Sequence, residues 1–187
     1  MKREELFQIL VAEAEKPFSG WDFSYIGETG RMATDSLAWS FASEILFDLR
    51  KADALLDMGT GGGEYLSLFQ PLPAYTCATE GYPPNVNVAK ERLKPLGVHV
   101  YPLSPDDKSM KLPFTDATFD FVMNRHEEFS PSEVRRILKE GGRFATQQVG
   151  GTDNVELNRR LGESEDFGFA DWHLPTAEAQ LEDEGFR

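Results

Sequence analysis

The stretch that decides the fold is LLDMGTGGGEYL, residues 55–66. Its apolar start ends at Asp57, glycines alternate at Gly59, Gly61 and Gly63, and residues at helical spacing follow. That order predicts a buried strand, a tight turn and the start of a helix. Glycine tolerates a positive φ and lets a ligand lie against bare backbone, and the amides at a helix start suit an anionic group. We therefore predict a ligand-binding turn rather than a glycine-rich turn without a ligand.

The spacing of these glycines narrows the choice of ligand. A dinucleotide-binding fingerprint requires G-x-G-x-x-G, but its sixth position here is Glu64, whose charge would repel a pyrophosphate. A P-loop requires a lysine directly after the glycines, and none follows. The pattern that remains is D-x-G-x-G-x-G at the end of a first strand. It resembles the first motif of class I S-adenosylmethionine-dependent methyltransferases.

Composition sets the limits for the whole chain. Its 187 residues suffice for one domain with a real core. The net charge of -13 argues against a broad nucleic-acid-binding face, because such binding rests on Lys and Arg. The single cysteine, Cys77, excludes an intrachain disulfide and favours the reducing cytosol, so we predict a cytoplasmic protein. No apolar stretch approaches the length of a membrane span, and we predict no membrane partner.

The segment before the glycine turn is predicted to hold two helices. Apolar residues recur at helical spacing over residues 3–16, and a second helix over 34–51 would be capped by Thr34 and Asp35. Between them, residues 18–32 are rich in aromatic residues and glycine. This segment suits either a loop packed on the domain or a lid over a ligand cleft. We predict residues 1–33 as an N-terminal helix and aromatic segment preceding the core.

Strands and helices alternate after the turn. A short helix over residues 64–70 leads to a second strand over 74–79. Glu80 follows that strand, close to the ~20-residue offset from Asp57 at which an acidic residue holds ribose hydroxyls. The alternative is a solvated acid at a strand end. Tyr82 could stack on an adenine ring. Asp106 or Asp107, after a third strand over 98–103, could accept the adenine amino group or could be turn residues.

The second half of the chain continues the alternation. A fourth strand over residues 119–123 leads into the loop that begins Asn124-Arg125-His126. Ser130 caps the next helix, with Pro131 at its first position. We expect residues 141–142, both glycine, to end that helix before a fifth strand over 143–149.

The segments LPFTDATFD (112–120) and EVRRILKEGGRF (133–144) resemble the regions that flank strand four and strand five in class I methyltransferases. With the glycine motif, the resemblance runs from about residue 34 to residue 151, the predicted cofactor-binding core. It implies an α/β fold with a Rossmann-like, doubly wound, mostly parallel sheet, and S-adenosylmethionine as cofactor. The resemblance carries over Asp57, Gly59, Thr60, Gly61 and Gly63 at the methionine part, Glu80 at the ribose, Asp106 or Asp107 at the adenine, and Asn124 near the sulfonium. Gly81 and Tyr82, directly after Glu80, are also predicted cofactor-binding residues.

The chain departs from this family after strand five. The family architecture has seven strands, whereas residues 152–187 predict acidic helices over 153–162 and 176–184 and the lead-in to a sixth strand. We therefore predict a fragment within one domain. The edge of strand five would present unpaired backbone groups, so we predict either a homodimer through that edge or a cover formed by the C-terminal helices.

The predicted function is methyl transfer to a small-molecule acceptor, in the manner of the group that acts on quinone precursors, with an RNA base as the less favoured acceptor. The alternative is a methyltransferase-like protein that binds the cofactor or a related nucleoside without turnover. His126 is the candidate general base because its ordinary pKa suits neutral pH, although a loop histidine is the simpler interpretation. Glu127 and Glu128 could assist it or could favour the next helix N-terminus. No Cys or His spacing suggests a metal site.

Overall fold

A parallel sheet forms the centre of the molecule in a computed structural model that describes residues 1–16, 24–104, 106, 109–162 and 169–187. Within those residues the sheet has five strands, all parallel to their neighbours. They are β1 (Ala54–Met58), β2 (Tyr75–Glu80), β3 (His99–Pro102), β4 (Phe119–Arg125) and β5 (Leu138–Gln147), in the spatial order β3-β2-β1-β4-β5. This is the predicted Rossmann-like fold class.

The described residues form seven α-helices. They are α1 (Arg3–Ala14), α2 (Ser24–Gly27), α3 (Phe41–Lys51), α4 (Pro83–Leu93), α5 (Pro131–Ile137), α6 (Val155–Leu161) and α7 (Leu174–Asp183). In the part of the chain that the structure describes, no helix combines the length and apolar character needed to cross a bilayer.

The core lies on both faces of the sheet because successive side chains of a strand point to opposite faces. Leu55 of β1 joins a cluster with Ile45 of α3 and Leu93 of α4, whereas its neighbour Leu56 joins a second cluster with Val134 of α5. Cys77 is fully buried in this second cluster, so it is a small core residue. A strand that is buried on both faces consists of consecutive apolar residues, which is why the sequence predicted β1.

The strand order places a switch point between β1 and β4. The chain moves outward from β1 to β2 and β3, and then returns to the other side of β1 to build β4 and β5. In open parallel sheets, ligands bind outside the carboxyl ends of the strands at such a point. Register pairs Asp57 with Met123 and Met58 with Asn124, so β1 and β4 end at the same edge.

The predicted start of the second helix is wrong. Helix α3 begins at Phe41, where the side chain of Ser40 accepts a hydrogen bond from the Ser43 N–H at 3.4 Å. Thr34 and Asp35 therefore do not cap it, and residues 33–40 are not helical. The buried residues of α3 also begin at Phe41, so the face that packs on the sheet fixes the helix start more strongly than the earlier capping residues do.

The short helix after the glycine turn is also different from its prediction. It is a 3-10 helix over Leu66–Phe69 rather than an α-helix over 64–70, and residues 61–65 form turns. Between β2 and β3 the chain forms α4 and then a second 3-10 segment, Lys94–Leu96. The short 3-10 helix after the turn therefore has no long axis whose N-terminus could bind an anion.

The diglycine lies inside β5 instead of ending a helix. Helix α5 starts at its predicted cap, where Ser130 accepts from the Glu133 N–H at 3.4 Å, but it ends at Ile137. Leu138 already pairs with Phe119, and the next pair is Phe121 with Arg143, so several residues of β5 bulge out between the two pairs. Gly141, at φ +75°, permits this bulge.

The two terminal regions differ in their packing. No residue of α1 is buried. At the other end, Phe186 lies 6.2 Å from Phe144 of β5 between ring centroids, and Trp172 lies 6.2 Å from Phe129. Helices α6 and α7 match the two predicted C-terminal helices apart from their ends. Pairing of the β5 edge with another chain stays a prediction.

Candidate functional site

A large cleft lies at the carboxyl ends of β1, β2 and β4, with a volume of about 1420 Å³. Its two sides differ in origin. The β1–β2 side consists of the glycine turn and the ends of those two strands, and the β4–β5 side consists of the ends of those strands and the loop 124–130. The charged residues that line the cleft include Asp57, Glu80, Lys111, Arg125, His126 and Glu127.

The glycine turn is held against β2 by its own backbone. Gly59, Gly61 and Gly63 all have positive φ, at +66°, +63° and +81°, which explains why glycine stands at each position. The Thr60 N–H donates to the Thr79 carbonyl at 2.9 Å, and the Thr60 hydroxyl donates to the Asp57 carboxylate at 2.7 Å. The turn therefore closes over the end of β1.

Arg92 of α4 fixes the far side of the turn. Its Nε donates to the Gly62 carbonyl at 2.9 Å, and a terminal nitrogen contacts the Glu64 carboxylate at 3.0 Å. Sequence reasoning missed this contact because it joins residues 28 to 30 positions apart. The same pair gives Glu64 a structural role beside the turn.

Asp57 is a buried carboxylate at the end of β1. Burial raises its pKa to about 7, against the hydrogen bond from Thr60 and the positive charge of Arg125, which both lower it. The nearby charge of Glu80 raises it further. A carboxylate with this pKa holds a proton through much of the neutral range, and a cation placed beside it would release that proton.

Glu80 is the second buried carboxylate, at the end of β2. Its Oε1 accepts a hydrogen bond from the Tyr82 N–H at 2.7 Å. Burial raises its pKa, and hydrogen bonding from the backbone of Tyr82, Gly61 and Gly81 opposes the rise. Glu80 is thus oriented at the glycine turn, as its predicted ribose role requires.

The structure places some of the predicted adenine contacts at the cleft and one of them away from it. Gly81 and Tyr82 line the cleft, and the Tyr82 side chain is exposed enough to meet a ligand. Asp106 is exposed and does not line the cleft, so the structure does not bring it to the other site residues. Asp107 lies outside the described residues.

Asn124 is fully buried beneath the loop and does not line the cleft. Its Nδ2 donates to the Glu127 carbonyl at 3.1 Å, and its Oδ1 accepts from Thr146 at 3.1 Å and from Gln148 at 2.7 Å. These contacts tie the loop after β4 to β5. Asn124 therefore positions the loop with its side chain.

His126 lines the cleft in an unusual backbone conformation, with φ at +63°. Its N–H donates to the Gln147 carbonyl at 2.9 Å, which extends the pairing of β4 and β5 by one residue. Partial burial and the charge of Arg125 lower the pKa of the imidazole. The neutral ring can accept a proton at pH 7, as a general base must.

Glu127 lies directly against the glycine turn. A Cβ on Gly59 would fall 2.5 Å from the Glu127 Cβ, so only glycine fits there. The Glu127 carboxylate is reached by solvent but enclosed on several sides by the cleft. This partial desolvation, with the charges of Glu80 and Glu128, raises its pKa. No sequence signal marked this contact, since it depends on the path of the loop.

Arg125 is a site residue to which the sequence analysis assigned no role. Its guanidinium lies 3.9 Å from the centroid of the Tyr65 ring, a cation–π contact. Its Nε donates to the Gln147 Oε1 at 3.0 Å. Tyr65 in turn packs edge-on against Phe69, at 5.1 Å between centroids. The signal in the sequence that could have indicated it is its place at the carboxyl end of a strand next to the switch point.

Several residues that carried the family resemblance prove to be structural. Asp120 accepts from the Ala54 N–H at 2.8 Å and pairs with Lys139 at 2.8 Å, which joins the starts of β1 and β5. Glu133 accepts from the Leu112 N–H at 2.7 Å and pairs with Arg136 at 2.6 Å. These segments stabilise the strands and the helix around the cleft, whereas the side chains that face the cleft come from the strand ends.

Comparisons with known proteins agree with this geometry. Residues 56–146, from β1 to β5, match the family model described as a methyltransferase domain. No curated protein matches the chain. Solved structures include the YcgJ protein from Bacillus subtilis, with a TM-score of 0.58 and 21% identity over 77% of this chain and 67% of that one.

Two further structures show the same fold. A SAM-dependent methyltransferase from Aquifex aeolicus has a TM-score of 0.50 and 24% identity, and the alignment covers 72% of each chain. A candidate methyltransferase from Bacillus halodurans has a TM-score of 0.54 and 25% identity over 72% of this chain and 62% of that one. Residues 56–146 are thus similar to a methyltransferase domain, a domain whose cofactor is S-adenosylmethionine, and the sheet has the fold of these methyltransferases.

The residues present fit that cofactor. The glycine turn lies beside the cleft, where a side chain larger than glycine at Gly59 or Gly63 would clash with Glu127 or Leu93, and Asp57 and Glu80 line the same cleft. S-adenosylmethionine carries a positive sulfonium, which buried carboxylates stabilise, and ribose hydroxyls, which a carboxylate accepts. Among the described residues, no group of three His, Cys, Asp or Glu side chains could hold a metal ion.

Proposed function

We propose that this chain transfers a methyl group from S-adenosylmethionine to a small-molecule acceptor bound on the β4–β5 side of the cleft. The observation that carries the proposal is the pair of buried carboxylates, Asp57 and Glu80, at the ends of adjacent strands beside a bare glycine turn. Buried carboxylates without a cation between them are costly. Their arrangement is therefore best explained by a ligand that carries positive charge and hydroxyl donors.

The β1–β2 side would hold the cofactor. Glu80 would accept both ribose hydroxyls, which a single carboxylate can do. The residues proposed at the methionine part are Asp57, Gly59, Thr60, Gly61 and Gly63, and those at the adenine are Gly81 and Tyr82. The cleft, at about 1420 Å³, exceeds the ~300–1,000 Å³ of an ordinary ligand pocket, so it has room for an acceptor beside the cofactor.

The charge of the cleft favours a small molecule over RNA. Among the described lining residues, six are acidic, namely Asp57, Glu64, Glu80, Glu127, Glu128 and Glu133, whereas Lys111 and Arg125 are the fixed cations. A nucleic acid binds through many phosphate contacts with Lys and Arg. An acidic cleft with two cations supports a compact acceptor that makes few such contacts.

The protein has two tasks in the proposed reaction. The bound cofactor supplies an activated methyl group, so the side chains need only align the acceptor and exclude water, which can contribute up to ~7–11 kcal/mol. If the acceptor loses a proton, His126 is placed to take it, because its lowered pKa keeps the imidazole neutral at pH 7. His126 as the base is a proposal.

Calorimetry and a transfer assay test the proposal together. Wild-type protein should bind S-adenosylmethionine and S-adenosylhomocysteine, and Glu80→Ala should weaken both severely, because two charge-assisted hydrogen bonds contribute ~1.5–3 kcal/mol each. Glu91→Ala removes an exposed carboxylate of α4 and is the matched control. An unchanged affinity in Glu80→Ala would exclude Glu80 from the site.

The transfer assay uses labelled S-adenosylmethionine with a panel of small molecules and with RNA. Methylation of a small molecule supports the proposal, and methylation of RNA alone would overturn the acceptor class. Tight cofactor binding without transfer to any acceptor would instead favour the alternative of a binding protein without turnover.

A further inference from the structure

Arg125 presents an oriented cation to the cleft. The Tyr65 ring covers the guanidinium at 3.9 Å from the centroid, and Gln147 holds its Nε at 3.0 Å. Within the described residues, no carboxylate forms an ion pair with Arg125, and its two terminal nitrogens have no hydrogen-bond partner. An arginine fixed at its Nε and its face keeps the two terminal N–H groups in the geometry that binds a carboxylate or a phosphate.

The place of Arg125 in the sheet sets it apart from the cofactor contacts. Glu80 ends β2 and Asp57 ends β1, while Arg125 ends β4 and is held by Gln147, the last residue of β5. In the strand order β3-β2-β1-β4-β5, Arg125 therefore lies on the opposite side of Asp57 from Glu80. A ligand that extends from Glu80 to the glycine turn leaves this side of the cleft for a second molecule.

Arg125 is not simply the partner of the buried Asp57. The hydrogen bond that Asp57 accepts comes from the Thr60 hydroxyl at 2.7 Å, and Arg125 acts on Asp57 only through its charge. The side chain is instead directed by Tyr65 and Gln147. These two contacts hold the guanidinium in one orientation and leave its positive charge unpaired within the described part of the chain. This arrangement is expected of an arginine that binds an anionic ligand.

We propose that Arg125 binds an anionic group of the methyl acceptor, a carboxylate or a phosphate, so that the acceptor is a small anionic molecule. This inference rests on the proposed function, because it names the class of acceptor for that reaction. It also explains how an acidic cleft could admit an anion. Arg125 is the fixed cation on the β4–β5 side among the described lining residues, and the anion would bind there in one position.

The test is calorimetry with benzoate, its neutral analogue benzamide and inorganic phosphate, each titrated into protein saturated with S-adenosylhomocysteine. We expect benzoate or phosphate to bind and benzamide to bind at least tenfold more weakly. Arg125→Gln should lower the affinity for the anion at least tenfold and change the affinity for S-adenosylhomocysteine less than twofold. Arg125→Lys should fall between the two, since it keeps the charge but loses the forked geometry.

Arg143→Gln is the matched control, because it removes one positive charge from β5 at an exposed pair with Asp48 outside the cleft. Thermal unfolding of each variant shows that the fold is retained. Equal binding of benzoate and benzamide, or no binding of either anion, would overturn the proposal. So would a parallel loss of benzoate and S-adenosylhomocysteine in Arg125→Gln, which would assign Arg125 to the cofactor carboxylate.

The same experiments distinguish a failure of the proposed function from a failure of this inference. If wild-type protein binds neither S-adenosylmethionine nor S-adenosylhomocysteine, the proposed function is wrong, and the same anions titrated into the free protein still report on Arg125. If the cofactor binds and the anions do not, only the acceptor class is wrong.

Discussion

The two sides of the cleft are built in different ways. On the β1–β2 side, the site residues lie within 26 positions of one another, and backbone hydrogen bonds and positive-φ glycines determine their geometry. On the β4–β5 side, the side chains of Asn124 and Arg125 at the end of β4 are held by the side chains of Gln147 and Gln148 at the end of β5. The geometry of the first side therefore rests mainly on backbone conformation, and that of the second rests on contacts between side chains.

The largest expected effect concerns the buried carboxylate of the β1–β2 side. The folded pKa of Asp57 is about 7, above its unfolded value of 3.8. The contribution of Asp57 to stability is therefore fully present below about pH 4 and is lost as the pH rises to about 7, because over this range the unfolded state has released a proton that the native state still holds. Replacing Asp57 by Asn should remove this loss, which is on the order of 4 kcal/mol.

Chemical unfolding at pH 4 and pH 8 measures the difference between wild type and Asp57→Asn. The control is Asp120→Asn, since the Lys139 ion pair and two backbone N–H groups lower the pKa of Asp120 and its contribution has the opposite sign. Equal pH dependence in wild type and Asp57→Asn would show that Asp57 is solvated or already paired.

The second prediction breaks the contact between the two sides. Gly59→Ala should destabilise the fold by ~1–2 kcal/mol through its positive φ and further through the clash with Glu127. Gly30→Ala is the matched control, because Gly30 has φ +70° and nothing within 4 Å, so it reports the backbone cost alone. Urea unfolding compares the two variants.

Adding Glu127→Gly to Gly59→Ala should restore the unfolding free energy that the clash with Glu127 removes. It should not restore the part that is lost because alanine at this position has a positive φ. A coupling energy near zero in this double-mutant cycle would mean that the loop moves away freely from the turn. In that case Glu127 does not define the space beside the glycine turn.

Sequence reasoning predicted the two sides unequally. Asp57, the glycines and Glu80 were predicted correctly as neighbours because a buried strand, a glycine turn and a strand end are local patterns. Arg125 and Glu127 acquire their positions from the path of one loop, which no pattern specifies. The start of α3 and the bulge in β5 were missed for a similar reason, since Phe41 and Leu138 follow the packing of the sheet rather than the strongest local signals.

The third prediction concerns a substitution that weakens the β4–β5 side alone. Asn124→Ala removes three buried hydrogen bonds that hold the loop, so we expect a loss of ~1–3 kcal/mol in unfolding free energy. Benzoate affinity should fall more than S-adenosylhomocysteine affinity, because Arg125 and Glu127 flank the released segment. Asn154→Ala, an exposed asparagine before α6, is the control. Equal losses for both ligands would show that the two sides form one unit.

The smallest effect concerns the imidazole of His126. Partial burial lowers its pKa most, and the charge of Arg125 lowers it further, so the ring should titrate below its ordinary value of 6.5. Because the folded pKa is below the unfolded one, His126 gives stability as the pH rises toward 6.5, opposite in sign to Asp57 over the same range.

NMR titration of the ring protons, assigned with His126→Gln, measures this pKa directly. In Arg125→Gln the pKa should rise only part of the way, since the burial remains, and in Arg143→Gln it should not move. A wild-type pKa at or above 6.5 would contradict the predicted lowering, and a pKa well above 7 would leave the ring mostly protonated at neutral pH and would remove the case for His126 as the base. A rise in Arg125→Gln would show that the cation proposed to bind the acceptor also keeps the adjacent base neutral.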